Sequence, residues 1–270
     1  MSIKTIFRQY IQISLHVAVA VCCFSLAAFL EFGFEIHKGV LGFTFLGSVL
    51  GYNFVKYSGA EKPTKPPKII QYVSTISFLG MGYFLLHIPI TVLLVASILG
   101  LLTICYALPI FSSKNLRSWA GLKIFIVGLV WAGVTVLFPW FSKENIIIAD
   151  VWLLFFQYFL WVVALTIPFE IRDMSVDSKS LYTLPQLLGV KLVKIVGCFL
   201  LVIVVVLEGF KDTLRLNHFY ALLFGVIVTS LLLIWSKKNQ KEYFASFWVE
   251  SVPIWYFLVY VLLDSYCPSC

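Results

Sequence analysis

Long apolar runs alternate with short polar ones along this 270-residue chain. A helix needs about 20 apolar residues to cross the hydrocarbon core of a bilayer. Nine such runs can be read, at roughly 10–30, 37–56, 69–86, 89–109, 121–138, 149–168, 190–207, 217–235 and 245–263. The third and fourth meet at "HIP" (His87 to Pro89), which leaves room only for a tight helical hairpin. The pattern predicts an all-α, polytopic membrane protein: nine transmembrane helices in one integral-membrane domain over 1–270. The first run follows Lys4 and Arg8, as in a signal peptide, but it is long for one and "LAAFLEF" is a poor cleavage site, so a retained helix is expected.

Composition agrees with that pattern. Hydrophobic residues make up 61% of the chain and charged residues 12%, against about 25% charged in soluble domains. A net charge of +7 raises the question of nucleic acid, but the basic residues fall in short segments between apolar runs, so no nucleic-acid partner is expected. Sixteen of the 20 Lys and Arg fall in segments on one side of the nine-span arrangement. Only Lys38, Lys143, Lys211 and Arg215 fall on the other. By the positive-inside bias, the N-terminus is cytoplasmic and the C-terminus outside. A bacterial cytoplasmic membrane is the expected location.

The stretch "IPFEIRDMSVDSKSLYTLPQLLG", residues 167–189, concentrates charge between the sixth and seventh runs, on the cytoplasmic side. Pro168 is read as the kink that ends the sixth span, and Thr183 with Pro185 as the start of the next helix. Glu170, Asp173 and Asp177, at i, i+3 and i+7, share one face if the segment between is helical. Three carboxylates on one face repel unless a cation joins them, and magnesium favours one or two carboxylates together with phosphate oxygens. The other arrangement is a solvated charged loop with Arg172 and Lys179 as partners.

"IRDMSVDSKSLYTLPQLLG" resembles the second aspartate motif of the UbiA-type intramembrane prenyltransferases. Asp173 and Asp177 match its DxxxD, and Thr183, Leu184, Pro185, Leu188 and Gly189 match the "TLP…LG" that follows. The resemblance implies a UbiA-like bundle of nine helices with a cytoplasmic-side active site. The family's first motif, NxxxDxxxD, lies between its second and third helices. Here that place reads "GYNFVKYSGAEKP": Asn53 matches, Tyr57 stands where the first Asp would be, and Glu61 stands at the last position. The resemblance implies that Asp173, Asp177, Asn53 and Glu61 supply oxygen ligands to Mg2+. The aromatic Tyr57 leaves open whether a full pair of ions is held.

A third polar cluster, "CYALPIFSSKNLRSWAGLK", is similar to the family's tyrosine and basic residues at the same place. Tyr106, Lys114, Arg117 and Lys123 would then cap the diphosphate, unless they serve as interfacial anchors and topology signals. Lys56, Tyr57, Glu170 and Arg172 are further candidates around the substrate. The implied reaction ionises a polyprenyl diphosphate and transfers the prenyl group to a small lipophilic acceptor, aromatic or quinone-type. Water must be excluded from the cation, and Tyr52, Tyr57, Tyr106 and Trp131 offer aromatic faces for it. Two other readings are carried: a catalytically degenerate relative that holds lipid diphosphate, and a small-molecule transporter. Transporters place polar groups at the midplane, whereas the carboxylates here cluster at one rim.

Cys22, Cys23, Cys105 and Cys198 lie in spans and read as small apolar packers. Cys267 and Cys270 end the chain as "CPSC"; without a second pair nearby zinc is not expected, and an outside location permits a disulfide. Glu250, near Pro253, and His16 are intramembrane polar groups for which structural hydrogen bonds to neighbouring helices are expected.

Overall fold

The computed structural model describes residues 2–58, 65–108, 121–144, 146–174 and 182–266, and these form helices joined by short connections. The N-terminal run is not one straight span. Helix α1 (Ile3–Gln12) has no buried residue, and α2 (Leu15–Glu31) leaves it at a 60° bend. Ser14 sits between them in the left-handed region, at φ 64°. The bend is held by a side chain from the next helix: Ser14 Oγ donates to Asn53 Oδ1 at 2.9 Å, and Asn53 Nδ2 donates to the Ile13 carbonyl at 3.4 Å. A helix broken inside a membrane protein needs such a partner, because lipid supplies none.

Helices α3 (Lys38–Ser58), α4 (Lys68–Leu85) and α5 (Ile90–Ala107) follow, with the hairpin at His87 to Pro89 between the last two. Next come α6 (Leu122–Ala132), a π-helical turn over Gly133–Leu137, and α7 (Phe138–Phe141), together one continuous stretch. Helix α8 spans Ala149–Asp173, α9 Leu184–Glu208 and α10 Leu216–Trp235. A second π-helical turn, Phe244–Val249, leads into α11 (Val252–Tyr266). Each π turn precedes a proline that lies in the following helix, Pro139 or Pro253. Proline has no N–H for the carbonyl four residues back, here Thr135 and Val249, so the hydrogen-bond register slips locally.

One expectation is corrected. Pro168 does not end its span: α8 runs through it to Asp173, and Gln240 Nε2 donates to the Pro168 carbonyl at 3.2 Å. The helix that follows begins at Leu184, at the start read from Thr183 and Pro185 and ahead of the apolar run near 190. Thr183 is its N-cap, and Gln186 Oε1 accepts from the Thr183 N–H at 3.0 Å. Gly189, at φ 77° and ψ 160°, then breaks it into a short first piece and a long second one. That conformation is open to glycine and costly for other residues.

Six stretches are long and apolar enough to cross a bilayer: Ile90–Ala107, Leu122–Phe141, Ala149–Asp173, Leu184–Glu208, Leu216–Trp235 and Phe244–Tyr266. The bent pair α1–α2 makes a seventh if counted as one span. Helices α3 and α4 occupy the second and third expected places but fall outside that set. Their polar residues, Thr44, Ser48, Asn53 and Lys56 in α3 and Gln71, Ser74 and Thr75 in α4, lower their hydropathy. The chain is an all-helical integral-membrane bundle in which length and hydropathy alone account for six or seven of the nine expected spans.

Helix α8 carries the centre of the core. Tyr158 and Trp161, both fully buried, pack against Phe24 of α2 and Tyr256 of α11. The Phe24 and Tyr158 rings stack at 4.5 Å, and Trp161 Nε1 donates to Thr229 Oγ1 of α10 at 2.8 Å. Gly225 makes room for the indole: a Cβ there would lie 2.5 Å from it.

At the end of the bundle away from the aspartate motif, a buried ionic network joins three helices and a loop. Lys211 Nζ lies 2.7 Å from Glu31 Oε1 and 2.8 Å from Glu208 Oε2. His218 Nδ1 is 2.7 Å from Glu208 Oε1, Gln157 Nε2 donates to Glu208 Oε2 at 2.8 Å, and the Tyr260 hydroxyl donates to Glu31 Oε2 at 3.3 Å. Removing one partner of a buried ion pair strands the other charge, at about 3–5 kcal/mol. Lys211→Met should therefore lower the thermal unfolding midpoint in detergent sharply, read by differential scanning fluorimetry. A midpoint within a degree of wild type would show that the network does not hold these helices together.

Candidate functional site

The end of the bundle that carries the motifs is built by the C-terminal turns of α3, α5 and α8, the first turns of α6 and α9, and the π turn that leads into α11. Asn53, on the last turns of α3, is buried and heavily engaged. Besides its bonds to Ser14 and Ile13, its Nδ2 donates to Ser74 Oγ of α4 at 3.2 Å. Its amide therefore ties α3 to the α1–α2 bend and to α4, and only the second lone pair of Oδ1 is left for a ligand. One turn further, Lys56 Nζ donates to the Gln12 carbonyl at 3.1 Å and lies 5.9 Å from the Tyr57 ring centre. Asn53 and Tyr57 line a cleft of about 750 Å³ with Lys65, Gln71 and Ser74.

On the other motif helix, Glu170 and Asp173 lie one turn apart but take different partners. Glu170, 3% exposed, pairs with Lys123 of α6 at 2.8 Å. Asp173 is held by its neighbour Arg172 through two hydrogen bonds, 2.7 Å from Nε and 3.0 Å from Nη2. The Arg172 guanidinium also lies 5.2 Å from the Phe169 ring centre. Glu61, Lys114, Arg117 and Asp177 lie outside the described residues, as does the "CPSC" end.

Beside this rim lies an apolar cavity of about 660 Å³ between α3, α5 and α6, with Tyr106 and Leu108 at one end and Phe43, Met81 and Phe138 at the other. Tyr52 and Trp131 also line it, and Trp131 Nε1 donates to the Tyr52 hydroxyl. Three of the four aromatics singled out as possible cation stabilisers thus share one cavity wall; Tyr57 lies on the neighbouring cleft. Asp173 lines neither space.

Two groups stand out that the reading of the sequence placed differently or passed over. His16 has the expected structural bonds: Nε2 is 3.1 Å from the Phe247 carbonyl and from Ser251 Oγ, and Nδ1 is 3.0 Å from the Tyr10 hydroxyl. Glu250 does not: its carboxylate makes no hydrogen bond among the described residues. The network of Glu31, Glu208 and His218 at the opposite end was passed over. Its ligand atoms lie within 4.8 Å of one another, a spacing that suits a cation, and the Lys211 ammonium stands among them. Glu208 and Lys211, three apart beside a span, were a legible local signal; Glu31, far away in the chain, was not.

The fold is similar to that of a solved structure of digeranylgeranylglyceryl phosphate synthase in membranes, with a TM-score of 0.58 at 19% identity, over 95% of this chain and 97% of that one. No family model and no curated protein matches the sequence.

If Asn53 holds the α1–α2 bend, Asn53→Ala should destabilise the protein by about 1–3 kcal/mol without any substrate present, because buried polar partners are left unsatisfied. The check is thermal unfolding of substrate-free protein in nanodiscs. An unchanged midpoint would assign Asn53 to ligand binding alone.

Proposed function

We propose that this protein is an intramembrane prenyltransferase that moves a polyprenyl group from its diphosphate to a small lipophilic acceptor. The observation that carries this reading is an apolar, aromatic-walled cavity in a bundle of this fold, lined by Val55 and Ile126 on the same helices that carry Lys56 and Lys123. A prenyl tail needs apolar walls, and its diphosphate needs cations at one end of them. The cavity beside Tyr52, Tyr106 and Trp131 supplies the first, and Lys56, Lys123 and Arg172 supply the second.

In this reading the tail lies between α3, α5 and α6, and the basic side chains offset charge as it builds on the departing diphosphate. The cavity walls keep water from the allylic cation, and the Tyr52 and Trp131 rings present their faces to it. Asp173 bound to Arg172 keeps the guanidinium placed at the rim. Magnesium enters the proposal through Asn53, Glu61, Asp173 and Asp177. Of these, the Asn53 amide is engaged by Ser14, Ile13 and Ser74, and both Asp173 oxygens face Arg172. The described pair as it stands does not fit an ion. The acceptor is aromatic or quinone-type in the proposal, and the chain sits in a bacterial cytoplasmic membrane with its N-terminus inside.

The second reading, a non-catalytic holder of lipid diphosphate, is favoured by Tyr57 at an acidic position of the motif and by the closed Arg172–Asp173 pair. Diphosphate release from geranylgeranyl diphosphate, in nanodiscs with and without magnesium, separates the two. The transferase reading expects release by wild type, at least about tenfold less from Asp173→Asn, which loosens the hold on Arg172 (a change of about 1.4 kcal/mol in the barrier), and undiminished release from Tyr57→Asp. A wild type silent with every acceptor, together with release that begins only in Tyr57→Asp, would establish the degenerate holder.

Orientation has its own test. Single cysteines introduced at Pro63 and Ser180 should both react with a membrane-impermeant thiol reagent only from the cytoplasmic side. Labelling from opposite sides would separate the two motifs and end the shared-site reading.

A further inference from the structure

We infer that the N-terminal helix α1, together with the loop before the last span, is a docking surface for the headgroups of anionic phospholipids. Docking of this kind holds whether or not the protein turns over a prenyl diphosphate, and the surface contains no residue of either aspartate motif.

The sequence of α1, "IKTIFRQYIQ", places Ile3, Ile6, Phe7, Tyr10 and Ile11 on one side of a helix and every charged or amide side chain on the other. Lys4 and Arg8 share the edge of the polar side that adjoins Ile11. A helix of 10 residues is marginal in water and needs a surface to form on. The bundle supplies that surface only in part. Phe7 meets the Tyr243 ring at 5.0 Å and the Phe247 ring at 5.1 Å, both edge-on, and Tyr10 meets His16. Ile3 and Ile6 stay 86% and 53% exposed, and no residue of α1 is buried. The C-terminal end of the helix is fixed by contrast. The Gln12 carbonyl accepts from Lys56 Nζ at 3.1 Å, and the Ile13 carbonyl accepts from Asn53 Nδ2. Helix α1 is thus held at its 60° bend from a membrane span with part of its apolar side uncovered.

Charge names what covers that side. The contact of Phe7 with Tyr243 brings the loop over residues 236–243 beside α1. Lys237, Lys238 and Lys241 of that loop are exposed, as are Lys4 and Arg8 of the helix. Glu242 is the one acid in the two segments. Cations grouped beside exposed isoleucines, next to the ends of two spans, fit a surface that is anionic and apolar at once. A bilayer that contains phosphatidylglycerol offers both. Ile3 and Ile6 enter the boundary of the acyl chains, the Lys4 and Arg8 stems lie along it, and their charged ends reach the phosphates. Each cation near such a surface contributes about fivefold in affinity, and the gain shrinks with salt. A hydrophilic protein partner has nothing to offer the two isoleucines.

The test uses purified full-length protein. Native mass spectrometry reads which lipid is retained from micelles that hold phosphatidylglycerol and phosphatidylcholine in equal amounts. Hydrogen exchange across residues 3–12 is followed in nanodiscs of phosphatidylcholine with and without phosphatidylglycerol. Wild type is expected to retain phosphatidylglycerol in preference and to exchange more slowly in α1 when it is present. Lys4→Gln combined with Arg8→Gln is expected to cut that preference at least about fivefold. Ile3→Gln combined with Ile6→Gln is expected to abolish the slowing. All four side chains are exposed, so the bundle folds without them. Lys38→Gln combined with Lys143→Gln, exposed cations at the opposite end, is expected to leave both readouts as in wild type. Equal retention of the two lipids by wild type, or exchange in α1 that ignores lipid charge, would overturn the docking surface. So would an unchanged preference in the Lys4 and Arg8 variant, or an equal loss in the Lys38 and Lys143 variant. Slowing by inorganic phosphate in phosphatidylcholine discs would give the patch to a free anion and overturn the assignment to lipid.

Discussion

The ammonium of Lys211, wedged between the carboxylates of Glu31 and Glu208, is the contact on which the arrangement of the bundle turns. Lipid tails offer no hydrogen bonds, and helix association in a membrane gains little from burying one apolar face against another. Polar pairs and close packing must supply the specificity. Here the paired groups come from the last residue of α2, the last residue of α9, the loop after it and the first turn of α10, with Tyr260 of α11 closing the set. The network fixes which helix ends meet. The aromatic layer of Phe24, Tyr158, Trp161 and Tyr256 then fills the space beneath it.

The two ends of the bundle spend their polar groups differently. At the network end, Lys211, Glu31 and Glu208 are paired with one another and buried, while Gln157 Oε1 and His218 Nε2 have no partner among the described residues. At the motif end, Asn53 and His16 each tie several elements together through their hydrogen bonds. The part played by Asn53 explains why α3 is less apolar than a helix that only spans lipid: one face carries Asn53 to hold the bend in the N-terminal helix, and others face the cleft and the cavity.

The apolar periodicity made most of the bundle legible. Runs read at 37–56, 89–109, 149–168 and 217–235 correspond to helices Lys38–Ser58, Ile90–Ala107, Ala149–Asp173 and Leu216–Trp235. What escaped were features that depend on partners distant in sequence. Hydropathy continues smoothly across Ser14, so the 60° bend was hidden; its stability comes from Asn53, 39 residues away. Pro168 reads as a helix end because local chemistry says so, and the helix persists because Gln240 and its tertiary neighbours hold it. Among the candidate site residues, the spacing of Glu170 and Asp173 placed both on one helix. It could not tell that Lys123 would take the first and Arg172 the second.

Proline links the fold to the site. Pro139 and Pro253 each remove one donor from a helix ladder, and each is preceded by a π turn. The first such turn, at Gly133–Leu137, puts Val134 on the wall of the apolar cavity. The second, at Phe244–Val249, sets the Glu250 N–H on the Ala245 carbonyl five residues back and leads into the buried Ser251. A π turn inserts one extra residue into a helical turn, and so rotates everything beyond it relative to a regular helix. With a regular helix at 244–249, the face that now carries Ser251 toward His16 Nε2 would be turned, and that 3.1 Å contact between the last span and the second helix would be lost. The docking of the last span is thus a consequence of backbone chemistry at Pro253, two residues beyond Ser251.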